Sequence, residues 1–385
     1  MSNAMTYPSR ISKLPTPCLL LDQDRFERNT RRMRDRLAQF AVSFRPHLKT
    51  AKSFDVARRV MDAAHGPAMV STLSEAEYYA SRGVRDLVYG VGIVAAKLDR
   101  VAAIRERHGV DLVVILDSIE QAATVASWSR ANDHSLATLI EIDCDGHRSG
   151  VQPGNTEQLV SIGRVVEEGG AKLRGVLTHA GGSYALHRAE DVVIAAAAER
   201  LAAVQAADAL RAAGLPCPVV SIGSTPTASF VRDLAGVTEV RAGVFMFGDL
   251  VQSGIGTCHV NEIAVSVLAT VIGHQRAKGR IVVDAGWMAL SADRGTSCQR
   301  LDQGYGLVCD EACVPYPDLI VLGANQEHGI VGTRPGSDAM PPDLPLGTLV
   351  RILPNHACST CAQHDRYRVL ANDAVVAEWP RVKGW

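Results

Sequence analysis

A lysine at the end of a short polar stretch is the first residue that could carry chemistry. Arg45, Pro46, His47 and Leu48 lead into Lys49, directly after a short apolar run. A lysine in such a place can form a Schiff base if burial or nearby cations lower its pKa. The alternative is a solvated surface lysine, and position alone leaves both open.

Two later polar stretches, residues 141–150 and 179–184, also follow apolar runs. Arg148, in the first, could hold an anionic oxygen of a cofactor or of a substrate carboxylate. In the second, His179 could stack on a planar ring and Tyr184 could reach its polar edge, while glycines allow close approach. The alternatives are structural ion pairs around Arg148 and a satisfied core histidine at position 179.

Residues 223–227 and 241–244 have the composition of phosphate-binding loops. The first supplies the hydroxyls of Ser224 and Thr225 just before a helix, and the second supplies Arg241, Gly243 and Val244. Hydroxyls, backbone N–H groups and a helix N-terminus together bind phosphate well. A Gly-Ser-Thr tripeptide alone is weak support, and its placement in the chain strengthens it.

A candidate metal site follows the run Leu349–Leu353, where His356 and Cys358 stand two residues apart. In an extended segment such residues point the same way, so they could bind one ion. Imidazole and thiolate together suit zinc, with positions left for water or substrate. The alternatives are a redox pair of Cys358 with Cys361 and a turn that holds a buried cysteine.

These stretches follow apolar runs that alternate with amphipathic, helix-like segments. The pattern predicts an α/β fold, a parallel (β/α)₈ TIM-like barrel whose strand ends gather the polar stretches. The predicted strands are Val42–Phe44, Ala68–Thr72, Asp86–Tyr89, Leu112–Asp117, Ala137–Asp143, Leu173–Thr178, Val219–Ile222 and Val237–Arg241. The predicted helices include Asp24–Phe40, Ser74–Arg82 with a capping box of Ser74 and Glu77, and Asp191–Ala213.

The pattern changes after Phe247, where short β-rich runs lie between Gly, Pro and Asp without a long helix. We therefore expect a barrel over residues 16–247 and a mostly antiparallel β domain over residues 248–385. The strand over residues 16–22 could join the β domain. Ser2-Asn3-Ala4 between two methionines is typical of an expression tag, and residues 1–15 are expected to be tag and flexible N-terminus.

The composition limits the class of protein. Lys plus Arg is 40 and Asp plus Glu is 41, for a formal charge of -1, and aromatic residues make up 5%. A near-neutral chain that is poor in aromatics indicates neither a nucleic-acid nor a membrane partner, and no apolar run reaches the roughly 18 residues of a membrane span. Nine cysteines, an odd number, fit a reducing cytoplasm.

In their order along the chain, these motifs resemble the fold-type III pyridoxal-phosphate family, which includes alanine racemase, D-threonine aldolase and D-serine dehydratase. Residues 45–50 look like its cofactor-lysine motif. Residues 147–150 and 241–248 are similar to the His-Arg-x-Gly and Arg-Pro-Gly-Ile stretches of racemases, with Ala242 where proline is usual. Residues 354–358 and 326–329 look like the metal-dependent D-amino-acid branch. The resemblance runs from Thr16 to Trp385.

The resemblance implies a role for each matching residue. Lys49 would carry pyridoxal 5'-phosphate as a Schiff base and act in catalysis with Arg148 and His179. His356 and Cys358 would bind a divalent metal, zinc before manganese, cobalt or magnesium. The expected cofactor contacts are Tyr184, Ser224, Thr225, Arg241, Gly243 and Val244.

The implied activity is a lyase for a small D-β-hydroxy amino acid. The expected reaction is dehydration and deamination of D-threo-3-hydroxyaspartate to oxaloacetate and ammonia, with Arg148 or Arg294 for the β-carboxylate. Aldolases of this branch tend to have aspartate in place of Cys358, which favours a dehydratase. D-threonine aldolase, D-serine dehydratase and a non-catalytic cofactor carrier are the alternatives. The family also implies a homodimer.

Overall fold

The structure, a computed structural model, describes residues 10–372 and 374–385. The expected tag lies outside the described residues, whereas residues 10–15, which were expected to belong to a flexible N-terminus, include the 3₁₀ helix Ile11–Lys13 and the buried Leu14. The chain divides into two compact units: a β unit of residues up to 32 and 244–381, and a barrel unit of residues 33–243 and 382–385. The boundary predicted after Phe247 therefore lies at Gly243, because Phe247 packs on Phe26 and Tyr367 within the β unit, at ring-centroid distances of 6.1 and 5.6 Å.

The barrel unit contains eight parallel strands, which confirms the predicted (β/α)₈ fold. Their order in the sheet is β2-β9-β8-β7-β6-β5-β4-β3. A bridge between His47 and Met69 links the first strand to the second and closes the ring. The strands are β2 (Ser43–Pro46), β3 (Ala68–Val70), β4 (Asp86–Gly92), β5 (Asp111–Leu116), β6 (Ala137–Ile142), β7 (Lys172–Thr178), β8 (Val219–Ile222) and β9 (Glu239–Ala242).

Helices follow these strands, and the first helix, α1 (Gln23–Leu37), leads from the β unit into the barrel unit. The other helices of the barrel unit are α2 (Phe54–Val60), α3 (Leu73–Ala80), α4 (Leu98–His108), α5 (Ile119–Ala131), α6 (Thr156–Glu168), α7 (Ala189–Ala212) and α8 (Thr225–Phe230). Among the described residues, no helix combines the length and the hydropathy that a membrane crossing requires.

The capping box predicted at Ser74 is wrong. Helix α3 begins earlier, with Thr72 as its N-cap, and the Thr72 hydroxyl accepts the N–H of Glu75 at 3.0 Å. The Glu75 carboxylate returns to the N–H of Ser71 at 3.1 Å. The capping-box pattern thus occurs twice, as Thr72 with Glu75 and as Ser74 with Glu77. The first pair forms the cap because the chain leaves β3 and enters the helix there.

The β unit is a nine-stranded sheet in the order β11-β14-β13-β12-β15-β10-β1-β16-β17. Its pairings are antiparallel except that of β1 with β16. The strands are β1 (Cys18–Asp22), β10 (Val265–Gln275), β11 (Arg280–Val283), β12 (Leu307–Cys309), β13 (Pro315–Ala324), β14 (Gly329–Thr333), β15 (Leu349–Leu353), β16 (Arg366–Ala371) and β17 (Ala374–Pro380). Three short helices accompany them: α9 (Leu250–Ile255), α10 (Trp287–Leu290) and α11 (Ala357–Gln363).

A chain of buried charges crosses the inside of the barrel. Arg45 on β2 donates to Glu239 on β9 at 2.8 Å and to Asp86 on β4 at 2.7 Å. Glu239 also accepts the Ser221 hydroxyl at 2.6 Å, and Ser221 accepts from Arg241 at 2.7 Å. Arg45 and Glu239 are both buried, so each depends on the other for its charge to be tolerated.

Replacing Arg45 with Leu should destabilise the protein, because the Glu239 carboxylate would stay buried without its counter-ion. Removing one partner of a buried pair costs about 3 kcal/mol or more, which corresponds to a fall in Tm on the order of 4 °C or more for a chain of this length. Differential scanning calorimetry would measure this. Arg107→Leu is the control, since its pair with Glu77 is exposed and should contribute less than about 1 kcal/mol; equal losses in both variants would contradict the argument.

Candidate active site

Lys49 lies in the turn that follows β2. The N–H of His47 donates to the carbonyl of Ala242 at 2.7 Å, and the N–H of Leu48 donates to the carbonyl of Met69 at 2.8 Å. The turn is therefore tied to the eighth barrel strand on one side and to the second on the other. Leu48 is buried and Lys49 is exposed, so a fixed backbone presents a solvent-accessible amine at the end of the barrel strands.

Three cations surround two histidines at this end of the barrel. Burial lowers the pKa of His47 well below its usual value, and the charges of Lys49 and Arg241 lower it further, with Arg148 also contributing. Burial likewise lowers the pKa of His179 to about 3, and Arg148, Lys49 and Arg241 add to this effect. Both imidazoles are therefore neutral at physiological pH, and the local field is positive.

His179 is held in one orientation by the neighbouring strand. Its Nδ1 lies 2.8 Å from the carbonyl oxygen of Gly223, so the neutral ring carries its proton there and leaves Nε2 as an acceptor. The Tyr184 ring lies 6.2 Å from the His179 ring, tilted by 49°. The alternative considered from the sequence, a histidine with its hydrogen bonds satisfied, is therefore correct for Nδ1. The ring nevertheless lies within reach of the charges of Arg148, Lys49 and Arg241.

Arg241 lies within β9, which agrees with the predicted strand Val237–Arg241, although the sequence also assigned it to the phosphate-binding loop over residues 241–244. Its guanidinium donates to the Ser221 hydroxyl at 2.7 Å and to the Thr178 carbonyl at 2.5 Å. Burial lowers the pKa of Arg241, while the carboxylate of Glu239 opposes that change. The strand continues to Ala242 because its backbone pairs with β2, and so the side chain enters the barrel.

Ser224 caps a helix. Its hydroxyl accepts the N–H of Thr227 at 3.1 Å, while the Thr227 hydroxyl accepts the N–H of Ser224 at 3.0 Å. The Ser224 hydroxyl also lies 2.9 Å from that of Ser183, in the loop after β7. Its hydrogen bonds are therefore used inside the loops.

Glu199, a residue that the sequence reading missed, braces the loops after β7 and β8. One carboxylate oxygen accepts the N–H of Ala180 at 2.9 Å and that of Gly223 at 3.0 Å. The side chain is buried, and burial raises the pKa of its carboxyl group. The signal was present in α7, where Glu199 shares a buried face with Ala196, Ala202 and Ala203. A carboxylate on an alanine face needs partners, and these loops supply them.

Arg148 is the least engaged cation of the group. It is half-exposed, and its guanidinium lies 3.8 Å from the Glu141 carboxylate, whose pKa burial raises. Its loop is fixed by Gly150, which has a φ of 135° and whose Cβ, if present, would lie 2.4 Å from the backbone nitrogen of Asp143. Only glycine fits that close approach. The loop thus holds Arg148 where its charge reaches His47 and His179.

The donor set of the barrel unit fits pyridoxal phosphate. A Cβ on Gly223 would lie 1.9 Å from the carbonyl oxygen of Arg241, and one on Gly243 would lie 3.0 Å from that of His47. Glycine therefore keeps the backbones of the two turns near Lys49 close together. Positive charge, backbone that glycine leaves uncovered by side chains and one accessible amine are what an anionic aldehyde requires.

His356 and Cys358 do not lie in an extended segment, which corrects the sequence-based expectation. His356 is the N-cap of α11 and Cys358 lies in its first turn. The helix begins here because Asp249 accepts the N–H of Ala357 at 2.8 Å and satisfies one of the first-turn donors. Cys361 follows in the same helix and is buried.

Asp293 holds the His356 ring. Its carboxylate lies 2.9 Å from His356 Nδ1 and also accepts the Ser359 hydroxyl at 3.0 Å. Burial lowers the pKa of His356, but hydrogen bonds with Asp293 and Cys358 outweigh it and raise that pKa to about 11. In the described residues no three His, Cys, Asp or Glu side chains converge as metal ligands. The corner of the β unit formed by Asp293, His356 and Cys358 nevertheless favours positive charge at the imidazole. Its imidazole and sulfur ligands suit a divalent cation.

Arg294, the neighbour of Asp293, is engaged inside the β unit. Its guanidinium lies 2.7 Å from the Asp302 carboxylate and 4.9 Å from the centroid of the Tyr305 ring. Sequence reading selected this stretch for Arg294, whereas Asp293 is the residue that reaches His356. Ser291, two residues before Asp293, has a φ of 72°, so the chain turns there. The direction of the Asp293 side chain therefore cannot be predicted from the sequence.

Comparison with known proteins agrees with this architecture. The family model described as the alanine racemase N-terminal domain matches residues 21–251, and the putative serine dehydratase domain matches residues 264–370. The chain belongs to the alanine racemase-like family. It is 50% identical to D-threo-3-hydroxyaspartate dehydratase from Delftia sp. (strain HT23) over 97% of this chain and 98% of the relative.

Two further relatives of this family member bear on its site. A cysteine-to-alanine variant of D-threo-3-hydroxyaspartate dehydratase, solved in a metal-free form, superposes with a TM-score of 0.95 at 49% identity, covering 98% of this chain and 100% of that one. The 3-hydroxy-D-aspartate aldolase of Paracoccus denitrificans (strain Pd 1222) is 30% identical over 97% of this chain and 94% of the relative. The first relative is named as a dehydratase and the second as an aldolase.

The brace formed by Glu199 gives a prediction for this alanine racemase-like protein. Glu199→Leu leaves the N–H groups of Ala180 and Gly223 without an acceptor, which should weaken pyridoxal phosphate binding about tenfold or more. Glu199→Gln keeps an acceptor oxygen in place and should bind within about threefold of the parent protein. Absorbance titration of the apoprotein with pyridoxal phosphate measures both.

The matched control for this prediction is Glu190→Leu, at the exposed beginning of the same helix, which should bind like the parent protein. Unaltered binding by Glu199→Leu would show that the two loops hold their positions without the carboxylate.

Proposed function

We propose that the chain is a pyridoxal-phosphate- and divalent-metal-dependent dehydratase of D-β-hydroxy amino acids. Its substrate would be D-threo-3-hydroxyaspartate and its products oxaloacetate and ammonia. The observation that carries this proposal is 50% identity with a dehydratase of that name over nearly the whole of both chains. The cation cluster around Lys49 and the donor pair at His356 support it independently.

Lys49 would hold the cofactor, since it is the accessible amine of the cluster. Thr225 and Gly243 would contact the phosphate, with Val244 and Tyr184 alongside the ring. Arg241 and Ser224 would act chiefly by fixing the strands and turns that carry these contacts. When bound, pyridoxal phosphate supplies an electron sink for charge that develops at the substrate Cα.

The side chains around Lys49 would divide the remaining work. Lys49 Nζ, released from the cofactor when the substrate amine replaces it, would take the proton from the substrate Cα as general base. Arg148, half-exposed and only loosely paired, binds a substrate carboxylate and fixes its orientation. His179 stays neutral because of its low pKa, so it presents an uncharged ring to the cofactor and leaves the positive field to the arginines.

His356 and Cys358 would bind zinc through one imidazole nitrogen and one thiolate, a donor set that this metal favours. Asp293 holds Nδ1, so Nε2 is the nitrogen left for the metal. When bound, the divalent ion supplies a Lewis acid for the β-hydroxyl of the substrate. Manganese, cobalt and magnesium remain alternatives for the titration below.

Cys358 supports dehydration over carbon–carbon cleavage. The higher identity to a dehydratase, 50%, than to an aldolase, 30%, points in the same direction. Both reactions begin with the same D-β-hydroxy amino acid and differ in which bond at Cβ breaks. Aldol cleavage is the second candidate, because a relative named as an aldolase matches 97% of this chain.

We also propose a cytoplasmic homodimer. All nine cysteines of the structure are free thiols, which suits a reducing compartment. The dimer rests on the family resemblance, and light scattering after gel filtration would measure it.

A product assay tests the function. The protein would be incubated with pyridoxal phosphate, zinc and either D-threo-3-hydroxyaspartate, D-serine or D-threonine, and keto acid, ammonia and glycine would be measured. Oxaloacetate and ammonia from the first substrate, at the highest kcat/KM, are the expected result. Glycine as the main product would replace dehydratase by aldolase. Lys49→Ala should abolish both the activity and the visible absorbance of the bound cofactor.

Asp293→Asn should weaken metal binding at His356 and Cys358, because the carboxylate that orients the imidazole loses its charge. Loss of such a supporting group typically costs about 10- to 100-fold in metal affinity. Zinc titration against a fluorescent chelator measures the affinity. Asp302→Asn, which alters the partner of Arg294 in the same unit, is the control; equal affinity in all three proteins would remove Asp293 from this role.

A further inference from the structure

A second pair of sulfur atoms lies in the β unit, in addition to Cys358 and Cys361 of α11. Cys309 ends β12 and Cys313 lies in the turn that leads to β13. Both are free thiols and both belong to one buried cluster with Leu307, Ile320 and Leu353. The turn folds Cys313 back toward the core: its N–H donates to the Asp310 carbonyl at 3.0 Å, and its φ is 63°.

Two arginines from different elements approach this thiol pair. Arg25 on α1 has Nη1 3.4 Å from Cys313 Sγ. Arg351 on β15 lies directly opposite Cys309 in the antiparallel ladder, and residues opposite each other in such a ladder have neighbouring side chains. Arg25 thus contacts the sulfur of Cys313, and Arg351 lies opposite Cys309.

Arg351 carries a charge that lacks a visible counter-ion. It is 2% exposed, and its Nε donates to the Ser266 hydroxyl at 3.0 Å. Its Nη2 is buried without a hydrogen-bond partner, and among the described residues no carboxylate forms an ion pair with it. A buried cation in this state indicates an anion nearby, and the Cys309–Cys313 pair is the acidic group that its side chain faces.

We propose that Cys313 is held as a thiolate by Arg25 and Arg351, and that it forms a reversible disulfide with Cys309 when the protein meets hydrogen peroxide. The site is a modification site separate from the proposed catalytic residues. It takes a two-electron oxidant of small size, since the flanking residues Glu311, Ala312 and Val314 are exposed while the sulfur atoms are not.

The chemistry balances in two steps. The Cys313 thiolate attacks one peroxide oxygen, the S–O bond forms, the O–O bond breaks, and the departing hydroxide takes a proton to become water. Cys309 then attacks the sulfur of the sulfenic acid, the S–S bond forms, the S–O bond breaks, and the Cys309 proton leaves with the hydroxide as a second water. Two thiols are oxidised to one disulfide and the peroxide is reduced to two waters.

The acidities of the two thiols agree with this division of roles. The hydrogen bond with Cys309 lowers the pKa of Cys313, and Arg351 and Arg25 lower it further against the effect of burial. The same contact raises the pKa of Cys309, together with burial and the nearby Asp310 carboxylate. Cys258 shares the cluster, but burial raises its pKa to about 12, so it serves as an internal comparison.

Mass spectrometry tests the proposal on the full-length holoprotein. No lysine or arginine lies between Arg300 and Arg334, so trypsin releases both cysteines on one peptide. After brief treatment with hydrogen peroxide and quenching with iodoacetamide, this peptide should be lighter than its reduced form by two hydrogens and unalkylated at both sulfurs; dithiothreitol should restore the thiols. Full recovery of the dithiol at peroxide levels that oxidise the exposed Cys298 would overturn the proposal.

Variants separate the thiolate from its surroundings. Arg25→Gln should slow disulfide formation about tenfold, since it removes a charge that stabilises the thiolate. Arg32→Gln, on the same helix but paired with Glu262 away from the sulfur atoms, should leave the rate unchanged. Cys309→Ser should leave a sulfenic acid at Cys313 that dimedone traps, and Cys258→Ser should still form the disulfide. Unchanged rates in Arg25→Gln would contradict the role of the arginine.

The pH profile gives a readout that altered folding would not imitate. From pH 8 to pH 7 an ordinary thiol loses most of its thiolate, and its oxidation slows about tenfold. Oxidation of Cys313 in the first step, followed as loss of its thiol, should change by less than about twofold over that range, whereas closure of the disulfide also depends on the Cys309 thiol. A tenfold decrease would show that Cys313 is protonated at neutral pH and would refute the proposal.

Discussion

The barrel depends on one buried charge relay, in which Arg45 holds Glu239 and Glu239 holds Ser221 against Arg241. Each charge is tolerated inside the barrel because the next group satisfies it. The relay ends at the Thr178 carbonyl, on the strand that leads into His179. The first, sixth, seventh and eighth strands are thus coupled by hydrogen bonds, and the turn of Lys49 is attached to the eighth strand and to the second.

Electrostatic balance explains why the arginines do not simply repel one another. Arg241, Arg148 and Lys49 all act on His47 and His179, and burial keeps both rings neutral. Had either histidine been protonated, a further cation would lie among three others in a poorly solvated place. The acids that act on Arg241 are Glu239, Glu199 and Glu141, and they are used by Arg45, by backbone N–H groups and by Arg148 respectively. A net positive field therefore remains for an anionic ligand, and it does not require an overall basic protein.

The barrel could be predicted from the sequence because its strands are buried on both faces and read as apolar runs. All eight predicted runs overlap observed strands, and the β-rich segment forms a mostly antiparallel sheet. Local caps were less predictable: Thr72 and Ser74 both begin an acceptable capping box, and only the end of β3 selects one. His356 and Cys358 were expected in an extended segment because Asp249, whose carboxylate starts α11, is distant in sequence. The roles of Asp293 and Glu199 were not predicted for the same reason, since each carboxylate binds groups that only folding brings close.

The surroundings of Lys49 and those of His356 differ in charge, and each suits one part of the proposed chemistry. The barrel unit concentrates cations beside neutral imidazoles, which suits a phosphate and substrate carboxylates. The corner of the β unit concentrates acceptors, since Asp293 and Cys358 together raise the pKa of His356, which suits a divalent cation in place of a proton. In the proposed reaction an electron sink would stabilise charge at Cα, and a Lewis acid would assist departure of the β-hydroxyl. A carrier of the cofactor would need the first environment alone, so the acceptor-rich corner argues for catalysis over storage.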